Sequence, residues 1–154
     1  MIFRIERANS TTAQKMIAAL DAELLERYPA ESIYGIEAEK FEVTGGVFVI
    51  GYDDNAPVVC GALRPYKTAI EIKRMYVIPS HRGRGLARRM LDFLEAEAVK
   101  RRYSHAVLET GTRQPEAISL YRSCGWMEIE RFGPYVNEPT SVCFEKRLAA
   151  TTQS

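Results

Sequence analysis

One short segment contains residues whose types and spacing could bind an anion. Residues 81 to 90 read HRGRGLARRM, in which Gly83 and Gly85 are interleaved with Arg82 and Arg84. A helical pattern follows, and the unpaired N–H groups at a helix N-terminus favour a phosphate. Glycine also allows a ligand to approach the main chain closely. The alternative is a tight turn into a helix whose arginines are solvated.

Two common phosphate-binding motifs are excluded by single residues. A Walker loop requires Lys-Ser or Lys-Thr directly after its second glycine, and Leu86 and Ala87 stand there. A dinucleotide fingerprint requires a third glycine where Arg88 stands, and this large side chain prevents close packing. What remains is a pyrophosphate site formed by the backbone N–H groups of residues 82–87, or the ordinary turn.

Composition predicts one soluble domain over residues 1–148, with a flexible tail over residues 149–154. The chain has 154 residues, 46% of them hydrophobic, which is enough to form a core. A net charge of +1 argues against a dedicated nucleic-acid binder. No stretch has the length of a signal peptide or a membrane span, so we expect no membrane partner and a cytoplasmic location.

The three cysteines do not indicate a metal site or a disulfide framework. Cys60, Cys124 and Cys143 are scattered and lack metal-ligand spacing. We therefore expect reduced thiols and no bound metal.

Periodicity predicts an α/β domain with a mixed sheet. Strand patterns cover residues 2–6, 47–52, 58–63, 69–78, 106–109, 126–131 and 141–146. Helical patterns begin after the capping residues 9–11, cover residues 84–101, and lie between Pro115 and Gly125. The pattern of residues 32–41 is ambiguous and compatible with a short second helix. This order differs from a regular βαβ repeat.

The strand over residues 69–78 changes its parity midway. Ile70 and Ile72 share one face, whereas the later apolar pair, Met75 and Val77, belongs to the other parity. A β-bulge near residues 73–74 would explain the change. Bulges are common beside active sites.

Two segments resemble the signature of the GNAT superfamily of N-acetyltransferases. The stretch MYVIP followed by HRGRGLARRML matches the family pattern of Gln or Arg, two residues, Gly, one residue, and Gly or Ala. The later stretch AISLYRSCGW is similar to the second family segment, Ala-x-x-Leu-Tyr-x-x-x-Gly-Phe. The order of helices and strands also matches that of the family over nearly the whole chain. The sequence looks like a small bacterial member of the family whose substrate is unassigned.

The resemblance implies a fold and a co-substrate. The GNAT fold is a mixed, mostly antiparallel sheet with a splayed, bulged central strand and flanking helices. Acetyl-CoA is the family's acetyl donor. Its pyrophosphate would bind Arg82, Gly83, Arg84, Gly85, Leu86 and Ala87, and its pantetheine arm the strand residues Met75, Tyr76 and Val77. Many members have Asn where Gln114 stands. The sequence leaves open whether the longer Gln114 side chain contacts the pantetheine arm.

The resemblance also implies catalytic residues. Tyr121 matches the family tyrosine that donates to the CoA sulfur, although its position on an apolar stripe also fits a core residue. Glu71 is the first candidate for the general base, with a solvent-facing carboxylate paired with a lysine as the alternative. Glu109 is the second choice. The backbone N–H of Val77 would stabilise the oxyanion.

The acceptor site would be formed by the segments YPAESIYGIE and RFGPYVNEP, with Tyr28, Glu31, Tyr34 and Tyr135 as candidate substrate contacts. Tyrosines and carboxylates suit a cationic amine. An amino-acid carboxylate would instead require an arginine, such as Arg64, Arg74 or Arg131. The sequence leaves both options open.

The resemblance implies an N-acetyltransferase that transfers acetyl from acetyl-CoA to the primary amine of a small molecule by direct attack in a ternary complex. One alternative is a non-catalytic module that binds or senses acyl-CoA. Another is an acetyltransferase acting on a protein N-terminus or lysine. The resemblance also allows for a homodimer, which is frequent in the family.

Overall fold

A seven-stranded mixed sheet forms the centre of the molecule, in a computed structural model that describes residues 1–149. The strands are β1 (Ile2–Glu6), β2 (Val47–Asp53), β3 (Ala56–Tyr66), β4 (Ala69–Val77), β5 (His105–Gly111), β6 (Met127–Ile129) and β7 (Ser141–Arg147). Their order in the sheet is β1-β2-β3-β4-β5-β7-β6, and among these described strands only β4 and β5 pair in parallel. The predicted mixed α/β architecture is confirmed. The predicted flexible tail, apart from Ala149, lies outside the described residues.

Three α-helices cover the two faces of the sheet: α1 (Thr11–Leu25), α2 (Leu86–Lys100) and α3 (Pro115–Ser123). Helix α1 begins where predicted, because the Ser10 side chain accepts a hydrogen bond from the Ala13 N–H at 3.1 Å. Its apolar stripe packs against one face of the sheet, while α2 and α3 contribute to the larger core on the other. Within the described residues, no helix combines the length and apolarity needed to cross a bilayer.

The predicted bulge in β4 is confirmed. Lys73 pairs with Ala62 and Tyr76 pairs with Cys60, so Arg74 and Met75 together lie opposite a single residue of β3. Arg74 has a φ of 57°, a left-handed conformation that costs a non-glycine residue about 1–2 kcal/mol. The bulge turns the second half of β4 and exchanges the faces on which its side chains lie.

Strands β4 and β5 diverge after three paired positions. The register runs from Ile70 opposite Ala106 to Ile72 opposite Leu108, and no pairing is recorded between later residues of the two strands. The sheet therefore opens between the bulged half of β4 and the end of β5. This splay agrees with the fold that the sequence resemblance implies.

Two predicted elements differ from the structure. Residues 32–41 do not form a helix; two single 3-10 turns, Ala30–Ser32 and Ala38–Lys40, flank an extended stretch. A helix here would place Gly35 in its interior at a cost of about 1 kcal/mol, and neither turn has a capping side chain. The strand predicted over residues 126–131 is shorter, because only Met127–Ile129 pairs with β7.

Candidate active site

A cleft with a volume of about 390 Å³ opens where β4 and β5 diverge. It is bordered by α1 and the turn after it, by both strands, by the loop before α2 and by α3. The predicted site residues that line it are Tyr28, Tyr34, Glu71, Arg74, Met75, Tyr76, Val77, Arg82, Ala87, Glu109, Gln114, Tyr121 and Tyr135. The predicted residues outside its lining are Glu31, Arg64, Gly83, Arg84, Gly85, Leu86 and Arg131.

The glycine-arginine loop forms an open turn at the N-terminus of α2. Gly83 and Gly85 have φ values of 78° and 77°, and a side chain at either position would meet no atom within 4 Å. Gly85 directly precedes the helix, whose first N–H groups have no partner within the helix. The Leu86 side chain is buried in the core and fixes this end of α2 against the sheet. The loop thus presents main-chain donors to an anion.

Arg82 connects the loop to both walls of the cleft. Its Nη2 lies 2.7 Å from Glu23 Oε1 on α1, and its Nε donates to the Val77 carbonyl at 2.9 Å. The guanidinium also lies over the Tyr76 ring at 5.5 Å. An anion bound at this loop would therefore meet a cation that is already oriented by α1 and β4.

The end of β4 presents backbone groups to the cleft. The Ile78 N–H donates to the Val58 carbonyl of β3 at 3.0 Å. Because successive backbone groups of an extended chain point in opposite directions, the N–H and C=O of Val77 point away from β3. Met75 and Val77 are partly buried at this edge, whereas the Tyr76 side chain lies on the α1 face. This edge can pair with an extended ligand as an additional strand would.

Tyr121 is a buried residue that lines the cleft. Its ring packs against Trp126 and Phe144, with centroid distances of 6.2 and 6.0 Å. Among the residues that the structure describes, the hydroxyl has no recorded hydrogen-bond partner. Burial raises the pKa of Tyr121 above its ordinary range, so the hydroxyl keeps its proton and is a donor. The apolar stripe and a role in the cleft are therefore compatible.

Glu109 on β5 is a partly buried carboxylate that lines the cleft. Burial raises the pKa of Glu109 to about 7, a shift that the Ser141 hydroxyl and Lys73 oppose. The Ser141 hydroxyl donates to Glu109 Oε2 at 2.6 Å. A base is most effective when its pKa lies near the working pH.

Glu71 on β4 belongs to a buried hydrogen-bonded chain. Arg64 Nη2 lies 2.8 Å from Glu71 Oε1, and the Tyr135 hydroxyl donates to Glu71 Oε2 at 2.6 Å. Lys73 Nζ in turn donates to the Tyr135 hydroxyl at 2.7 Å. Burial raises the pKa of Tyr135 above its ordinary range, and burial lowers the pKa of Lys73 to about 8. The four side chains connect β3, β4 and the turn before β7.

The alternative of a solvent-facing Glu71 is wrong, because its side chain is 1% exposed and its closest cation is an arginine. Both carboxylate oxygens already accept hydrogen bonds from Arg64 and Tyr135. Taking up a proton would disrupt these bonds, so the geometry suits a positioning role better than a base.

Tyr28 and Gln114 close one end of the cleft together. The Tyr28 hydroxyl accepts a hydrogen bond from the Arg113 N–H at 2.9 Å and lies 3.5 Å from Gln114 Oε1. Gln114 Oε1 also accepts from the Gly111 N–H at 3.3 Å. A Cβ at Gly111 would lie 1.9 Å from the Tyr28 hydroxyl, so glycine is required there. Gln114 thus uses its carbonyl within the protein and keeps its amide N–H₂ for a ligand.

The remaining predicted acceptor contacts separate into two groups. The Tyr34 and Tyr135 rings pack edge to face at a centroid distance of 5.0 Å on the cleft wall. Glu31 is exposed on the turn that follows α1 and does not line the cleft.

Lys73 and Ser141 are residues of the site that sequence reasoning missed. A signal was available for Lys73, because two charged residues, Glu71 and Lys73, alternate on a strand predicted to be central. Such a pattern is unfavourable unless the face lines a site. Ser141 gave no signal, since its contact with Glu109 depends on the pairing of β5 and β7. Within residues 1–149, no group of His, Cys, Asp and Glu side chains is arranged to hold a metal ion.

Comparison with known proteins agrees with this geometry. The sequence model described as the Acetyltransferase (GNAT) family matches residues 13–126. A relative named IAA acetyltransferase from Azospirillum brasilense is 35% identical over 136 residues, covering 87% of this chain and 89% of that protein.

Comparison with solved structures agrees with this family. A protein of Klebsiella pneumoniae, assigned to the acyl-CoA N-acyltransferases, superimposes with a TM-score of 0.81 at 31% identity, covering 96% of this chain and 97% of that one. A GNAT family acetyltransferase of Elizabethkingia anophelis has a TM-score of 0.72 at 18% identity, with coverage of 96% and 97%, and so supports the fold alone. The chain therefore belongs to the acetyltransferase (GNAT) family and is an acyltransferase enzyme.

Proposed function

We propose that the protein is an acetyl-CoA-dependent N-acetyltransferase, in which the primary amine of a small molecule attacks the thioester directly in a ternary complex. The observation that carries the proposal is the presence of Glu109 and Tyr121 in one cleft. Glu109 has a pKa raised to about 7, and Tyr121 supplies a hydroxyl with no recorded partner within residues 1–149. A base and a donor in one cleft are the two groups that amide formation from a thioester requires.

The binding of acetyl-CoA is supported by the loop and by the edge of β4. The N-terminus of α2 and Arg82 suit the pyrophosphate, and the backbone of Met75 and Val77 suits the amides of the pantetheine arm. The neighbour from Elizabethkingia anophelis was solved with acetyl-CoA bound. Val77 would release its bond to Arg82 when its carbonyl pairs with the cofactor.

The attacking amine must first lose a proton, because a lysine-like ammonium has a pKa of about 10.4. We assign this step to Glu109, and Glu71 to positioning Tyr135. The amine nitrogen then bonds to the carbonyl carbon, the C–S bond breaks, and its electron pair leaves on the CoA sulfur. The nitrogen passes its second proton to this thiolate, which gives the amide and the CoA thiol. The Val77 N–H stabilises the developing oxyanion.

Tyr121 serves the leaving group as a hydrogen-bond donor. An ordinary thiol has a pKa of about 8.5, lower than that of a buried tyrosine, so a complete proton transfer from Tyr121 to the thiolate is uphill. A hydrogen bond to the developing thiolate still lowers the barrier, and a charge-assisted bond contributes about 1.5–3 kcal/mol.

Replacing Tyr121 with phenylalanine is expected to lower kcat about 10- to 100-fold, which is the loss of one such hydrogen bond. The KM for acetyl-CoA should stay nearly constant, because the ring keeps its packing against Trp126 and Phe144. Steady-state release of CoA thiol measures both values, with Tyr103→Phe as the matched control. If the Tyr121→Phe enzyme were as active as the wild type, Tyr121 would have only a packing role in the core.

The reaction itself is tested by following thiol release from acetyl-CoA over a panel of amines, amino acids and short peptides. Turnover with a free amine supports the proposal. Acetylation of peptides alone would assign a protein acceptor. Tight binding of acetyl-CoA without thiol release on any acceptor would identify a binding or sensing module.

A further inference from the structure

Two consecutive cationic side chains line the cleft beside the proposed base. Lys73 and Arg74 have side chains that are 5% and 3% exposed, and both belong to the cleft lining. In a regular strand, neighbouring side chains point to opposite faces. The bulge at Arg74 removes this alternation and brings both cations to one wall.

Both side chains retain donors without acceptors among the described residues. Lys73 Nζ donates to the Tyr135 hydroxyl, and its nearest carboxylate oxygen, Glu71 Oε2, lies 3.7 Å away. Arg74 Nη2 pairs with Asp21 on α1, but Arg74 Nε is buried and has no recorded partner within residues 1–149. Buried donors are nearly always satisfied, so the partnerless Arg74 Nε indicates a missing acceptor, and the Lys73 ammonium beside it has a single recorded hydrogen bond within the described residues.

The opposite charge lies on the facing strand. Glu109 on β5 interacts electrostatically with Lys73 across the opening of the sheet. Two carboxylates also lie on this wall, because Glu71 pairs with Arg64 and Asp21 pairs with Arg74. With Lys73 as the third cation, three positive charges meet two negative ones, so the wall keeps one net positive charge opposite the carboxylate on β5.

We propose that the acceptor is an amino acid or a similar zwitterion, whose carboxylate binds Lys73 and Arg74 while its amine faces Glu109. The inference rests on the proposed function and names its substrate class. A carboxylate supplies acceptor oxygens to Lys73 Nζ and, after a small rotation of the guanidinium, to Arg74 Nε. A polyamine supplies no acceptor oxygen to Lys73 Nζ or Arg74 Nε.

The test compares matched acceptors: an α-amino acid, its carboxamide, and the amine that lacks the carboxyl group. The wild-type kcat/KM for the acid is expected to exceed that for the carboxamide about 100-fold, the worth of charge-assisted hydrogen bonds. In Lys73→Gln this preference should fall below about 10-fold, since glutamine keeps a donor for Tyr135 but loses the charge. The control Lys15→Gln, exposed on α1, should keep the full preference.

A second variant and a binding measurement keep the test decisive if Lys73→Gln misfolds or if no acceptor is turned over. Arg74→Lys keeps the charge beside Asp21 and removes Nε, so it should weaken the acid preference while acetyl-CoA still binds. Titration calorimetry of the same acids and carboxamides into the CoA complex reports the subsite without turnover.

The outcomes separate this inference from the function on which it rests. Equal use of acid and carboxamide, or an acid preference unchanged in Lys73→Gln and Arg74→Lys, overturns the carboxylate subsite and leaves the acetyltransferase intact. Lys73-dependent binding of acids without any acetyl transfer upholds the subsite and rejects the proposed reaction. Absence of binding and of turnover with every acid overturns the inference.

Discussion

Replacing Glu109 with glutamine is expected to lower kcat about 10²- to 10⁴-fold, which is the usual worth of a general base. Glutamine has nearly the same shape and can still accept the hydrogen bond from Ser141, so the cleft should keep its geometry. What it loses is the ability to take a proton from the acceptor amine. Affinity for acetyl-CoA should change little, because the loop before α2 is unaltered.

The pH profile distinguishes a base from a residue that only shapes the cleft. Wild-type activity should rise with pH through about 7, because burial raises the pKa of Glu109 to that value and only the carboxylate accepts a proton. In Glu109→Gln this limb should disappear, leaving a rise toward high pH as the free amine itself deprotonates. Glu145→Gln, an exposed carboxylate of β7, is the control. An unchanged profile in Glu109→Gln would transfer the role of base to another group, with Glu71 as the first candidate.

The burial of Glu109 also predicts how the free energy of unfolding depends on pH. The pKa of Glu109 is about 7 in the folded protein and about 4.3 when unfolded, so the folded state binds this proton more tightly. Stability from this group therefore falls as pH rises from about 4.3 to 7. Glu109→Gln is expected to be more stable than the wild type by about 1–3 kcal/mol at pH 8 and nearly equal at pH 4.5. Urea denaturation at both pH values measures this, and an equal difference at both would contradict it.

The loop and the bulge were predictable because their signals are local. Gly83 and Gly85 interrupt a basic helical pattern, and both adopt positive φ values that other residues disfavour. The apolar side chains change from one sheet face to the other between Ile72 and Met75, and this change located the bulge. A strand that remains in its sheet cannot change the face of its side chains without an extra residue.

The choice between Glu71 and Glu109 was not predictable, because it depends on partners distant in the chain. Glu71 is paired with Arg64 and hydrogen-bonded by Tyr135, and Glu109 is partly buried beside Ser141. Sequence spacing gives neither the pairing of β5 with β7 nor the position of the turn that holds Tyr135. The sequence ranked Glu71 first from its position on the long strand and from the family resemblance, and we propose the reverse order from the neighbours of both carboxylates.

Gly85→Glu is expected to weaken acetyl-CoA binding about 100-fold or more. The new carboxylate would lie at the N-terminus of α2, where the helix itself attracts an anion, and would compete with the pyrophosphate. Repulsion between two charges about 4 Å apart costs about 4 kcal/mol at the effective dielectric typical of a protein surface. The site has room for a side chain, since no atom lies within 4 Å of the added Cβ. The protein should therefore fold and lose the ligand.

Gly125→Glu is the matched control, because it separates backbone strain from the effect on the loop. Gly125 has a φ of 87°, so both variants carry a similar strain of about 1–2 kcal/mol. Gly125 follows α3, where an added Cβ would meet only Lys146, at 3.8 Å. Calorimetry should give both variants a similar loss of stability, with weaker acetyl-CoA binding in Gly85→Glu alone. Equal loss of affinity in both variants would mean that the loop binds no pyrophosphate and that strain alone accounts for the effect.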